Sequence, residues 1–145
     1  MAVRDQIQEA MKDAMRKKDQ FRLETLRMAK GALLVLEKAG GKVSEDDAIA
    51  ALRTKVKKRQ QSIAIFNEHG KAAEAAATER EIAVIEEFLP KQLTREQLEE
   101  KVRAYLAEHA DINHPGKLTG AMKKELGDQA DGKMLNEVCR EVLEG

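Results

Sequence analysis

The sequence predicts an all-α protein: a four-helix N-terminal body followed by a small three-helix tail bundle. Three observations carry this. Apolar residues recur at spacings of three and four along most of the chain, and the valines and isoleucines keep that spacing instead of alternating as in a strand. Charged residues make up 36% of the 145 positions and apolar ones 42%, a mixture suited to helices with one buried stripe and charged outer faces. The breaks in periodicity coincide with polar caps, glycines and the two prolines.

A first helix spans about Val3 to Lys17, with Val3, Ile7, Met11 and Ala14 on one face. Asp19 caps a second, which runs to about Lys38 with Leu23, Leu26, Leu33 and Leu36 inward, until Gly40-Gly41 stops it. Gly31 reads as the lone glycine inside a helix; at about 1 kcal/mol against alanine, its presence predicts close packing there. Ser44 with Asp47 resembles a capping box that opens a long third helix, closed by Gly70 after about His69. Its seam is Ile49, Leu52, Val56, Arg59, Ile63 and Phe66, the pattern of a helix packed lengthwise on others. A fourth helix, about Ala72 to Phe88, turns Ala75, Thr78, Ile82, Ile85 and Leu89 to one side and is stopped by Leu89-Pro90.

Thr94 and Gln97 form a capping box for a fifth helix carrying Leu98, Val102, Tyr105 and Leu106. His109 to Pro115 reads as a connection. A sixth helix places Leu118, Met122 and Leu126 on one face and ends at Gly127. Asp131 caps a seventh, with Leu135, Val138 and Val142 inward. The chain thus divides at Pro90 into a helical body, 1–90, and a tail domain, 91–145, which is marginal in size for independent stability.

Basic and acidic residues balance at 26 each, but unevenly along the chain. Residues 1–71 carry 16 basic and 10 acidic side chains, and 72–145 the reverse balance of 10 and 16. Such asymmetry fits a basic face for an anionic partner, or two halves that attract each other within one molecule or between neighbours. One cysteine, Cys139, excludes an internal disulfide framework and fits a reducing cytosol. The N-terminus has the pattern of neither a signal nor a transit peptide, and the longest apolar run is Ala32 to Leu36. Crossing a bilayer takes about 20 residues. A cytoplasmic protein without a membrane partner is expected.

No catalytic constellation is recognisable. Cys139 follows Val138 in a helix with no base nominated beside it, which fits packing better than nucleophilic attack. His109, Asp111 and His114 match no standard metal spacing, and a helix end with a proline turn explains them, so no metal is expected. Glu86 and Glu87 point in different directions from one helix. Without a Walker loop, a dinucleotide fingerprint or a nucleophile elbow, no cofactor is expected either.

Two basic features remain. Lys57 and Lys58 stand in the third helix beside Arg59, which occupies a seam position. A charge there needs a partner: a glutamate on a neighbouring helix, or else a phosphate or carboxylate ligand. The tail carries Lys117, Lys123 and Lys124 around the sixth helix, and Lys133 at the start of the seventh. A helix N-terminus there offers backbone N–H groups to a phosphate, although Asp131 takes one of those donors as a cap.

Four segments together resemble the YqeY family: Leu26-Arg27-Met28-Ala29-Lys30, Lys57 to Ile63, Glu81 to Leu93 with its Phe88-Leu89-Pro90-Lys91-Gln92-Leu93 ending, and Ala130-Asp131-Gly132-Lys133 followed by Asn136. The tail of that family is similar to the C-terminal domain of the B subunit of the tRNA-dependent amidotransferase (GatB). The resemblance covers essentially the whole chain and implies an all-helical body and a three-helix tail of the kind that helps hold tRNA while other domains do the amide chemistry. It also carries the family label of an amidotransferase-like carbon–nitrogen ligase with glutamine as amido donor, although these residues nominate neither an amidase nucleophile nor an ATP site. Asp128 and Gln129 depart from the family, which commonly has glycine and a basic residue there.

The expectation is a non-catalytic helical binding module for tRNA or another structured RNA, recognised through backbone charge and shape. The candidate contacts are Lys117, Lys123, Lys124 and Lys133, with Lys57, Lys58 and Arg59. Four aromatics, Phe21, Phe66, Phe88 and Tyr105, are too few and too close to core positions for a base-stacking platform. The alternatives are a module that binds a protein partner and, from the family label, the amidotransferase activity.

Overall fold

The computed structural model describes residues 2–145, and among these it contains helices and no strand. Seven α-helices follow in order: α1 (Val3–Arg16), α2 (Gln20–Gly40), α3 (Glu45–Glu68), α4 (Ala72–Glu86), α5 (Arg95–Glu108), α6 (Pro115–Leu126) and α7 (Gly132–Glu144). One 3-10 turn, Gly127–Gln129, links the last two.

Local chemistry sets the boundaries. The side chains of Asp19, Ser44 and Asp131 accept the backbone N–H three residues on, from Arg22, Asp47 and Met134, which satisfies one orphan donor at each helix start. Thr94 and Gln97 make both bonds of a capping box. Gly41 and Gly70 leave α2 and α3 at φ +90° and +69°, a region where a side chain is strained. Pro115 is part of α6 and not of the connection before it: it is the first helical residue, where its missing N–H is no loss, and the His114 ring accepts from the Gly116 N–H. α1 has no cap of its own. Glu45, at the start of α3, supplies it by accepting the Val3 N–H at 2.9 Å.

The chain forms two compact units, Met1–Leu89 and Pro90–Gly145. In the first, α1 packs on α2 and α3 on α4, and the core gathers Ile7, Leu26, Leu33, Leu52, Val56 and Ile85. All five residues placed on the inner face of α4 are buried. In the second, α7 packs on both α5 and α6 around Leu98, Val102, Leu118, Met122, Leu135 and Val138. Cys139 lies in this core, fully buried, as its packing role requires.

Two expectations about glycine fail. Gly31 is not closely packed, since a Cβ added there meets nothing within 4 Å. Nor is it the lone helical glycine: Gly120 lies in the middle of α6, equally open. The charge asymmetry also falls elsewhere than at the break between units. Residues 1–89 carry 17 basic and 15 acidic side chains and 90–145 carry 9 and 11, so the contrast lies largely inside the first unit, between residues 1–71, with 16 basic and 10 acidic, and residues 72–89, with 1 and 5.

Candidate nucleic-acid interface

In the first unit, α3 presents Lys57 and Lys58 to solvent and turns Arg59 inward. The Arg59 side chain is 12% exposed and its Nε stands 3.6 Å from Glu81 Oε2 of α4, the neighbouring glutamate that a charge on the seam calls for. Its terminal nitrogens donate to the Lys55 carbonyl and to Met28 Sδ, while Nε is left without a hydrogen bond. Arg59 therefore ties α3 to α2 and α4 and is directed away from Lys57 and Lys58.

In the second unit, the apolar face of α6, Leu118, Met122 and Leu126, is buried, and the helical period puts Lys117, Gly120 and Lys124 on the opposite side. All three are exposed. The missing Cβ at Gly120 leaves open space between the two lysines, so a bulky anion can come close to the helix there. Lys123 lies on the flank toward α7, and its ammonium is 3.8 Å from where a Cβ on Gly132 would be. It stands at the N-terminus of α7, next to exposed Lys133, where the helix dipole adds to the positive potential.

Thr119 and Asn136 approach at 3.5 Å. Together with the Lys123–Gly132 approach this shows that α6 and α7 run antiparallel, in a register that sets Arg140 level with the start of α6. Arg140 is exposed and follows Lys133 by two helical turns on the same side of α7. Its signal in the sequence is that seven-residue spacing from Lys133. Asp131 caps α7, one carboxylate oxygen accepting the Met134 N–H, a contact that does not cancel its negative charge.

The segment before α5 is latched to the 3-10 turn. The Leu93 N–H donates to the Gln129 carbonyl at 2.7 Å, and Gln92 Nε2 to the Asp128 carbonyl at 3.0 Å. This brings the Lys91-Gln92-Leu93 and Ala130-Asp131-Gly132-Lys133 segments together. The contact runs through the backbone of Asp128 and Gln129 and does not depend on which side chains stand there.

The two histidines of the second unit have structural partners. His109 closes α5, with Nδ1 3.0 Å from the Tyr105 carbonyl and its ring stacked on Tyr105 at 4.0 Å. His114 caps α6. Among the described residues no three His, Cys, Asp or Glu side chains gather as a metal site, and no helix is long and apolar enough to cross a membrane.

Burial raises the Cys139 thiol pKa above its ordinary value, opposed by a weaker effect of its hydrogen bond with Thr119. A pKa raised in the folded state contributes stability that is complete below about pH 8.5, the unfolded thiol value, and is lost as pH rises through the folded value. Wild type should therefore lose urea resistance relative to Cys139→Ala as pH is raised above that point. Thiol labelling of native protein should lag far behind that of the denatured chain; equal rates would contradict the burial.

Compared with known families, the chain matches the model described as Yqey-like protein over residues 4–143. None of the curated proteins matches it.

Proposed function

The chain belongs to the YqeY-like family, and from that premise we propose that it is a non-catalytic binding module whose tail holds tRNA or another structured RNA by backbone charge and shape. In this reading the first unit is a four-helix body and the second a three-helix tail domain akin to that of the amidotransferase B subunit, working in the cytoplasm. The observation that carries it is the cationic side of the second unit: Lys117 and Lys124 flanking the open Gly120, Lys123 reaching the N-terminus of α7, and exposed Lys133 in the first turn of that helix. Lysines disposed along two antiparallel helices suit phosphates spaced along a backbone, and their flexible ammonium groups select charge and not base identity. Lys57 and Lys58 supply further exposed charge on α3.

A salt titration tests this. With about four phosphates neutralised, log affinity against log salt should fall with a slope of about −3.6 on a duplex-like RNA. A flat response overturns the proposal. The glutamine-dependent ligase reading predicts ammonia release from the purified chain with glutamine; the binding-module reading predicts none.

A further inference from the structure

We propose that α2 is the contact of a two-fold symmetric dimer of this chain, formed by antiparallel pairing of its outer face with that of a second copy. Among the described residues, the large apolar side chains left exposed are Met15, Met28, Val35 and Ile65. Two of these share one face of α2: Met28, 43% exposed with its sulfur held by Arg59, and Val35, 66% exposed, stand on either side of Gly31. The spacing Glu24, Met28, Gly31, Val35, Lys38 alternates four and three, the seam of a helix that packs lengthwise on another. This seam lies opposite the side of α2 that buries Leu26 and Leu33.

Gly31 is the second observation. Inside a helix glycine is among the least favourable residues, and here no neighbour in the chain occupies the space a Cβ would fill. Its absence leaves bare backbone at the midpoint of the seam, where another helix can approach closely.

The occupant follows from charge. Glu24 and Lys38 stand at equal distances before and after Gly31, both exposed, and Gln20 holds the Glu24 carboxylate by a hydrogen bond. Antiparallel pairing centred on Gly31 sets each Glu24 against the Lys38 of the second copy and each Met28 beside the second Val35. One patch is thereby complementary to itself, the requirement of an isologous contact.

Sedimentation velocity of the full chain over a concentration series tests this, with helical circular dichroism confirming that each variant folds. Wild type should show reversible monomer–dimer exchange. Glu24→Lys and Lys38→Glu should each weaken it by about tenfold, because each sets like charges together twice in the symmetric contact. The double exchange, E24K with K38E, should restore association to near the wild-type level, and Val35→Asp should abolish it. A wild type that stays monomeric throughout the series overturns the proposal. So does a double exchange no better than the single variants, or a Val35→Asp protein that still associates.

Discussion

Leu135→Ala should unfold the second unit and leave the first one helical. Leu135 is fully buried among Leu98, Leu118 and Met122, in a core that shares no residue with that of the first unit. Truncating a leucine so enclosed costs about 2.7–5 kcal/mol, the lost transfer energy plus the cavity left behind. A unit of 56 residues has about 3–8 kcal/mol to lose at typical stability per residue. The substitution therefore removes most or all of it. In limited proteolysis the variant should be cut after residue 90 under conditions in which the wild type resists, and helical ellipticity should fall by the share contributed by α5–α7. Leu52→Ala, at an equally buried site in the first unit, should reverse the pattern. Loss of both units together in both variants would show that the two cores melt as one.

The helices were legible because their determinants are local. A cap needs a short polar side chain three residues before the N–H it accepts, and Asp19, Ser44, Thr94 and Asp131 each declare one within four letters of sequence. Inner faces follow from period alone, as α4 illustrates. What escaped the sequence is tertiary. The cap of α1 comes from Glu45, 42 residues away, because Ala2 has no side chain able to serve. Gly31 misled because mid-helix glycine in one chain most simply means a crowded neighbour, and helical period cannot say whether a neighbour is present. For Arg59 the sequence showed that a charge on a buried seam needs a counterion, but could not name Glu81, which lies one helix further on.

The candidate interface shows the same division. Lys117 and Lys124 are two helical turns apart, so their shared side is a property of the sequence. That Lys123 reaches Gly132 across the 3-10 turn, and that Arg140 lies level with the start of α6, depends on how α6 and α7 register. Two features set that register. Gly127, with φ +55°, ends α6, and the Gln92–Leu93 latch holds the turn that follows. Neither involves a charged side chain from the cationic face, so the lysines can be changed without removing what positions them.

This separation makes the strongest functional prediction a clean one. Replacing Lys117, Lys123, Lys124 and Lys133 together by alanine should leave the fold and its melting transition close to wild type, since all four are exposed and none belongs to either core. RNA binding should change greatly. If these side chains neutralise about four phosphates, wild-type affinity should drop about a hundredfold between 50 and 200 mM salt, and the fourfold variant should lose most of that dependence along with at least about a hundredfold of affinity at the lower salt. Each single replacement should reduce the slope by about one and weaken all RNA sequences alike, the mark of a phosphate contact as opposed to a base contact. Arg59→Met provides the contrast: it removes an equal charge, but one directed at Glu81, and should leave the slope unchanged while lowering the stability of the first unit. A fourfold variant whose salt response matches wild type would place the RNA surface elsewhere or exclude one, whereas an Arg59→Met protein with a reduced slope would show that α3 takes part through its seam residue as well as through Lys57 and Lys58.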